Sequence, residues 1–448
     1  MYKISRYNHF QERPDGKYIA YNARSGAVAI MDPDNYAAYE NLARKIESAA
    51  DSPFSPAEAE LLKQLEYASF VYLDDYDELE ELAFCHYSAR YDATSLGFVL
   101  APTMACNMAC SYCYEGNKKG RMSDETMESI VDFVRRRGGH LRDLSVGWYG
   151  GEPLLAMDII ERLSERLIRL GQEQSFKYEA SIITNGFLLT GETVDRLLDF
   201  GVDSIQLTLD GPARVHNGKR PLKNGRPSYE RILENMAYAS GKMKIGVRVN
   251  VDRSFNGEII TEMLRELDAA GLKNYLGIYF GWLEPSTTVC ANIAESCLSA
   301  TDFSKVEIEY FRLLLEEGFR IGKLPTPVLN FCVAQSSGGF VMDHEGNLYR
   351  CFNHVGDHDR SMGNIRDQLN YNHPNFTRLF RFDAFQDDLC RSCDILPICM
   401  GGCPSRRQDR GVTGGDMCES WRHNLPDMLE IIAQAKLQEM KSAVKEQS

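Results

Sequence analysis

Positive charge is in short supply in this chain of 448 residues, which carries 50 Lys/Arg against 64 Asp/Glu and a formal net charge of −14. Phosphate backbones are held by clustered Lys and Arg, so nucleic acid is excluded as a main partner, and Arg135-Arg136-Arg137 and Arg406-Arg407 read as short solvated patches. Long apolar runs are missing too. No window approaches the ~18 apolar residues of a membrane span, and the opening Met1-Tyr2-Lys3-Ile4-Ser5-Arg6 has no apolar signal segment. A soluble, cytoplasmic protein without a membrane or nucleic-acid partner is expected. Cysteine, in contrast, is plentiful: 13 residues, an odd number crowded toward the C-terminal end. In a reducing compartment these read as metal ligands rather than disulfides. The length suggests two to four domains.

The most informative stretch runs from Ala101 to Tyr114 and holds Cys106, Cys110 and Cys113 at C-x3-C-x2-C spacing, just after the apolar run Leu96 to Leu100. Three thiolates on a loop can hold three corners of a cubane iron–sulfur cluster. Clusters that only move electrons close all four corners with cysteine, so a three-cysteine loop leaves one iron for another ligand. A zinc knuckle, which closes with four ligands, and buried structural thiols are the plain alternatives. The spacing, with aromatic Tyr112 before the last cysteine, resembles the radical S-adenosylmethionine (SAM) superfamily. That resemblance implies that SAM chelates the open iron and that Tyr112 contributes to its binding.

Between about 93 and 300 the sequence alternates strand and helix. Strand-like runs occur at Phe98–Leu100, Leu144–Tyr149, Ala180–Thr184, Ser204–Leu209, Ile245–Val251 and Tyr275–Phe280. Amphipathic helices lie between them: Ser123 caps one that Gly138-Gly139 stops, Asp158 and Glu161 form a capping box for the next with Gly171 as its stop, and Gly201 and Gly271 close two more. Six strands joined by right-handed helical crossovers predict a parallel sheet, two short of the eight that close a barrel. The fold class is therefore α/β, and the resemblance makes it a partial (β/α)6 TIM-like barrel.

The loops after these strands resemble the SAM contacts of the family: Gly150-Gly151-Glu152-Pro153 after the second strand, Thr184-Asn185-Gly186 after the third, and Leu209-Asp210-Gly211-Pro212 with His216 after the fourth. The glycine pair is expected to let backbone approach a small ligand. Arg248 and Asn250 share one face of the fifth strand, where the family often holds SAM's carboxylate and ribose.

Residues 1–92 carry 9 Lys/Arg against 17 Asp/Glu. Tyr18–Tyr21 and Ala27–Met31 flank a turn as a hairpin, Asp34 caps a helix, and another helix spans about Pro56 to Leu65. This arrangement is similar to the winged-helix precursor-recognition domain of peptide-modifying radical SAM enzymes, which binds a leader peptide as an added strand; a plain helical cap over the barrel mouth is the alternative. The Asp74 to Glu81 run reads as a solvated linker or helix start.

A helix around Phe303 to Phe319, within a bridge over 301–324, leads to the cysteine-rich region 325–448. Cys332 is followed by C-x13-G-x4-C to Cys351, then by Cys390-x2-Cys393-x5-Cys399-x3-Cys403 and finally Cys418, with a hairpin over 340–350 presenting Cys351. Zinc is the competing metal for C-x2-C pairs. The order resembles the SPASM domain, which implies two auxiliary [4Fe–4S] clusters, one on Cys390, Cys393, Cys399 and Cys418 and the other on Cys332, Cys351 and Cys403. Three clusters in all are expected. Two closed clusters need eight thiols where these make seven, so either Cys290 or Cys297 completes the site or one iron is open to a substrate thiolate.

Together these resemblances imply a radical SAM/SPASM maturase of a ribosomally made precursor peptide, of the sactipeptide/ranthipeptide type, driven by reduced flavodoxin or ferredoxin. A cysteine thioether is the expected crosslink and a carbon–carbon bond the alternative. An anaerobic sulfatase maturase shares these domains but carries Asp after the equivalent of Cys351, where this chain has Phe352. A non-enzymatic iron–sulfur electron carrier is the remaining alternative.

Overall fold

Apolar strands that can be buried on both faces set the architecture. In the computed structural model, which describes residues 2–48, 53–116, 118–330, 332–408 and 417–446, six of them lie side by side: β6 (Ser95–Leu100), β7 (Asp143–Trp148), β8 (Lys177–Thr184), β9 (Val202–Thr208), β10 (Lys244–Val251) and β11 (Leu276–Trp282). All pair in parallel and in sequence order. The crossovers are α4 (Asp124–Arg137), α5 (Met157–Gln174), α6 (Gly191–Asp199), the pair α7 (Ala213–Lys219) and α8 (Tyr229–Ala239), and α9 (Gly257–Ala269). The result is an incomplete (β/α) barrel, as the alternation requires.

The sheet has two further strands that the sequence reading did not assign to it. β12 (Gly339–Met342) pairs in parallel with β6, and β13 (Leu348–Tyr349) returns antiparallel to β12. The hairpin expected to present Cys351 thus exists, but its first strand extends the barrel sheet. Phe340 packs against Phe98 and Phe133, and Val341 and Tyr349 share a core cluster with Val99, Ala101 and Tyr149.

Most helix ends follow the sequence. The Ser123 side chain accepts from Thr126 N, Thr190 caps α6, and Gly201 and Gly271 take positive φ after their helices. Helix α5 is the exception: it begins at Met157 with Ala156 at the cap position, so no side chain caps it, and Asp158 and Glu161 pair with Arg121 and Arg196. It also runs past Gly171 to end at left-handed Ser175. Gly171 is a contact site instead, since a Cβ there would lie 3.0 Å from Phe176 O.

At the N-terminal end, β2 (Asn8–Glu12), β3 (Tyr18–Asn22) and β4 (Val28–Met31) form an antiparallel sheet, while β1 (Tyr2–Ile4) pairs with β5 (Val71–Leu73). Helices α1 (Pro33–Glu47), α2 (Pro56–Tyr67) and α3 (Glu78–Arg90) complete the unit. The cap of α1 is Asp32 rather than Asp34, with Pro33 at the first helical position; α2 has a full capping box from Ser55 and Glu58. A small core of Tyr39, Leu42, Ile46, Leu62, Leu65 and Phe70 is the unit's own.

Its other face docks on the cysteine-rich region rather than on the barrel mouth. Arg13 pairs with Glu430, Tyr21 OH donates to Pro325 O at 2.5 Å, Tyr87 OH to Asp383 at 2.6 Å, and Arg90 to Phe380 O at 2.6 Å. Within the supposedly solvated acidic run, Glu78 is buried and accepts from Ser5 Oγ and Arg6 N. Helix α10 (Ala300–Glu316) and the C-terminal helix (Trp421–Glu446) pack together against the barrel's far edge.

Candidate active site

The C-x3-C-x2-C loop leaves the C-terminal end of β6 and is fastened on two sides. On one, Gly151 N and Glu152 N donate to Thr103 O and Ala105 O, the latter at 2.9 Å. On the other, Ala109 N donates to Pro221 O, Ser111 N to Lys219 O, and Lys223 N to Asn107 O. The glycine pair makes room for the cysteine loop. A Cβ on Gly150 would lie 2.4 Å from Thr103 O, and one on Gly151 2.5 Å from Ala105 O. Both glycines admit the cysteine loop itself.

Glu152 is fully buried and uses both carboxylate oxygens: Oε1 accepts from Thr184 Oγ1 at 2.7 Å and Leu154 N at 3.0 Å, and Oε2 from Asn185 N at 2.8 Å. Burial raises its pKa, against these bonds. Asn185 then reaches the cysteine loop, donating to Asn107 Oδ1 at 2.7 Å with its amide 3.9 Å from Cys106 Sγ. Pro153 starts the short helical turn that Glu152 caps.

A second buried network locks Tyr112. Its hydroxyl donates to Asp210 and accepts from Arg220 at 2.6 Å and Asn250 Nδ2 at 3.1 Å. Asp210 is fully buried, accepts from Asn250 N, and has its own N–H bonded to His216 Nδ1 at 3.1 Å. Asn250 also accepts from Arg248 Nε at 2.8 Å. The candidate residues Tyr112, Gly150, Gly151, Glu152, Pro153, Thr184, Asn185, Arg248 and Asn250 are thus brought around one loop. Asp210 and Arg220 join them as fasteners of Tyr112, a role that the LDGP segment did not announce because nothing in its spacing points to the tyrosine hydroxyl.

The thiols fall into three neighbourhoods. Cys106, Cys110 and Cys113 interact electrostatically with one another, and burial pushes Cys106 up to about 12. Cys332 faces Cys403 and is pushed up to about 11 by burial. Cys390, Cys393, Cys399 and Cys418 form a linked set, and Cys351 lies within electrostatic reach of Tyr114. All thirteen cysteines are free thiols. Among the described residues no three His, Cys, Asp or Glu side chains close to single-ion distance; a cubane, which holds each thiolate on a separate iron, does not require that closure.

An iron–sulfur cluster carries negative charge, and each neighbourhood has a guanidinium at hand to meet it: Arg220 by Cys110, Arg350 by Cys332 and Arg407 by Cys390. Arg350 is 1 % exposed and bonds only carbonyls, those of Gly339, Ala334 and Ser336. No carboxylate pairs with it among the described residues, and burial lowers it only to about 9, so it stays cationic at neutral pH. Asn107 Nδ2, in the cysteine loop, is buried without an acceptor. Soft thiol donors, buried cations and an orphaned donor all fit iron–sulfur clusters.

Residues 100–267 match the model of the Radical SAM superfamily. This stretch is a radical SAM domain, which supports an enzyme of that type. The family implies SAM and a [4Fe–4S] cluster as cofactors. The serine-type anaerobic sulfatase-maturating enzyme of Bacteroides thetaiotaomicron is 24 % identical over 69 % of this chain and 82 % of that protein. Two solved structures share the fold of this chain. One is anSMEcpe with bound AdoMet and the Kp18Cys peptide, with TM-score 0.57 and 21 % identity over 76 % of this chain and 99 % of that one. The other is SuiB of Streptococcus suis bound to its precursor peptide SuiA, with TM-score 0.51 and 15 % identity over 90 % and 95 %. The chain is thus similar in sequence to a sulfatase-maturating enzyme and in fold to anSMEcpe and SuiB, and among the described residues it has no helix long and apolar enough to cross a membrane.

Beside the site, a cavity of about 380 Å³ opens at the barrel's last strand. Arg248, Tyr279 and Trp282 line it from the barrel, and Glu307, Lys323 and Arg406 from the elements beyond. Lys323 pairs with Glu307 and Arg406 with Glu284 and Glu419, whereas Arg248 has no carboxylate partner among the described residues.

Proposed function

We propose that the enzyme matures a ribosomally made precursor peptide in the cytoplasm by hydrogen abstraction followed by formation of a cysteine thioether, with reduced flavodoxin or ferredoxin as electron donor. The grouping of nine cysteines into three neighbourhoods, each beside a guanidinium, carries this reading. Cys106, Cys110 and Cys113 would hold the SAM-binding cluster, Cys390, Cys393, Cys399 and Cys418 one auxiliary cluster, and Cys332, Cys351 and Cys403 the other. When bound, SAM supplies a 5′-deoxyadenosyl radical and the auxiliary clusters take up the surplus electron.

The chain's own part is placement. Glu152, Asn185, Asp210 and Arg220 hold the cysteine loop rigid, and Arg248 and Asn250 offer a cation and an amide where a carboxylate and a ribose would bind. The cavity beside Arg248 gives a peptide side chain a route inward. Residues 1–92 supply leader recognition, and β4 is the edge that suits an added strand: β2 is turned to the C-terminal region by His9 and Arg13, whereas Ala29 and Ile30 of β4 are exposed. The nearness of SuiB with its bound precursor supports a peptide substrate.

The missing eighth thiol supports the thioether. Cys290 and Cys297 turn their sulfurs to their own backbone, to Thr287 O at 3.4 Å and Ile293 O at 3.2 Å, and a peptide cysteine is the ligand that would complete the set with Cys332, Cys351 and Cys403. Phe352, packed edge-on against Tyr149, puts an aromatic ring where the sulfatase maturases carry their aspartate and weighs against that activity. The deciding experiment is mass spectrometry of precursor incubated with reduced enzyme and SAM. Loss of two hydrogens is expected, and it should vanish when the precursor cysteines are replaced by Ala. A cysteine-free precursor that still loses two hydrogens would move the assignment to a carbon–carbon crosslink.

A further inference from the structure

Two guanidiniums touch sulfur in the C-terminal cysteine set. Arg407 Nη2 lies 3.5 Å from Cys390 Sγ, and Arg422 Nη1 3.5 Å from Cys393 Sγ. The loop built around Arg407 is specialised. Its side chain is 5 % exposed, its Nε donates to Gly401 O at 2.6 Å, and its guanidinium lies over the Phe382 ring at 4.4 Å. Met400, Gly401 and Gly402, the three residues between Cys399 and Cys403, all have positive φ, and a Cβ on Gly401 would strike the Phe382 ring at 2.5 Å. The backbone is thus folded back so that one carbonyl and one ring together aim a buried cation at a thiol. Asp387, the nearest carboxylate to Arg407 among the ion pairs, stands off at 3.8 Å. Arg422 is shared between Cys393 and Asp394, with Asp394 at 3.2 Å.

The SAM-cluster loop is different. Cys106 faces neutral donors, the backbone N–H of Met108 and the Asn185 amide, and Arg220 spends its short bond on Tyr112. Charge-assisted hydrogen bonds are roughly twice as strong as neutral ones, and hydrogen bonds and charge at the sulfurs are among the levers that set a cluster's potential. Reduction adds negative charge, which a neighbouring cation stabilises.

We propose that Arg407 and Arg422, donating to Cys390 and Cys393, raise the reduction potential of the cluster held by the C-terminal four cysteines and so make it a favourable resting place for an electron. The inference rests on the cluster assignment given above. Both arginines are positioning residues that act through the thiolates.

The test is a redox titration, followed by electron paramagnetic resonance, of the full-length reconstituted protein and its Arg407→Gln, Arg422→Gln and doubly substituted forms, with iron measured in each. One cluster signal should move to more negative potential in each single variant and further in the double, at unchanged iron content, while Arg422→Lys keeps part of the effect. Arg422 is 43 % exposed, so its replacement leaves the fold intact and decides the matter even if Arg407→Gln fails to load. Full iron with unmoved potentials in Arg422→Gln overturns the proposal alone. Undiminished iron in a Cys390→Ala/Cys393→Ala form overturns the cluster assignment, and the proposal with it.

Discussion

Glu152 shows how much of the site hangs on single side chains. Its carboxylate joins the loop after β7 to the loop after β8, and its backbone N–H joins both to the cysteine loop. Glu152→Gln keeps the shape but replaces one acceptor oxygen by a donor facing N–H or O–H groups. Mispairing a buried group costs about 1–3 kcal/mol, and a drop in Tm together with slower SAM cleavage is the expected outcome, read by calorimetry and by 5′-deoxyadenosine yield. Gly151→Ala should cost at least as much, since backbone oxygens rather than a flexible side chain block its Cβ. At this scale the motif letters were legible and their reason was not. A glycine pair after a strand says that something comes close, and only the fold says that the residues Thr103 to Ala105 do. Tyr112 was legible as the aromatic of the cysteine motif, whereas its anchors Asp210 and Arg220 come from another β/α unit, and contacts of that kind leave no local trace.

Helices and strands were read best where a local rule decides them. Ser123 starts its helix and Gly201 and Gly271 end theirs as expected, while Asp158 and Glu161 form no capping box because their helix begins at Met157, and arginines from neighbouring elements compete for both carboxylates. The same competition supports α7, where Lys219, whose carbonyl holds Ser111 of the cysteine loop, is paired with Asp252 at 2.5 Å. Burial raises the pKa of Asp252, but the bonds from Lys219 and Ser254 outweigh it and leave the pKa lowered. A carboxylate depressed in the folded state contributes stability above its unfolded pKa of ~3.9 and loses it as pH falls through the folded value. Acid should therefore destabilise the wild type more than Asp252→Asn below about pH 4, a difference that thermal melts across pH would register. Helix α3 gives the element-scale test of leader binding. Arg90 and His86 are buried, and they bond Phe380 O and Leu329 O, so a truncation should spare α3 and remove only the residues before Asp77. That form should still cleave SAM without substrate and should fail to modify the full precursor; equal turnover would reduce the unit to a cap. Ile30→Glu, on the exposed β4 edge, should weaken precursor binding about tenfold, or ~1.4 kcal/mol, as measured by calorimetry.

For the molecule as a whole, the three [4Fe–4S] clusters proposed above would give about twelve irons per chain after anaerobic reconstitution. Replacing Cys106, Cys110 and Cys113 together by Ala should abolish 5′-deoxyadenosine formation and leave about eight irons; persistent cleavage would refute the loop's assignment. Six strands with their crossovers were legible because each is a contiguous apolar run with its own punctuation. β12 was not, because four residues between Ser337-Gly338 and Asp343 look like any short hairpin strand and their partner β6 lies far earlier in the chain. Residues 93–300 expressed alone should consequently be insoluble, with Phe98 stripped of Phe340 and the β6 edge bare.

That same strand places a clock on synthesis. β6 ends at Leu100 and waits for Gly339 to Met342 before its edge is covered, which at ~5–20 residues per second takes on the order of ten to fifty seconds of translation. Throughout that interval Cys106, Cys110 and Cys113 have already been made while the strand beside their loop is paired only with β7 and bare on its other edge. The bare edge of β6 is thus open to stray pairing until the last quarter of the chain arrives, and a nascent chain stalled before Gly339 would be the form from which to capture a chaperone that guards it.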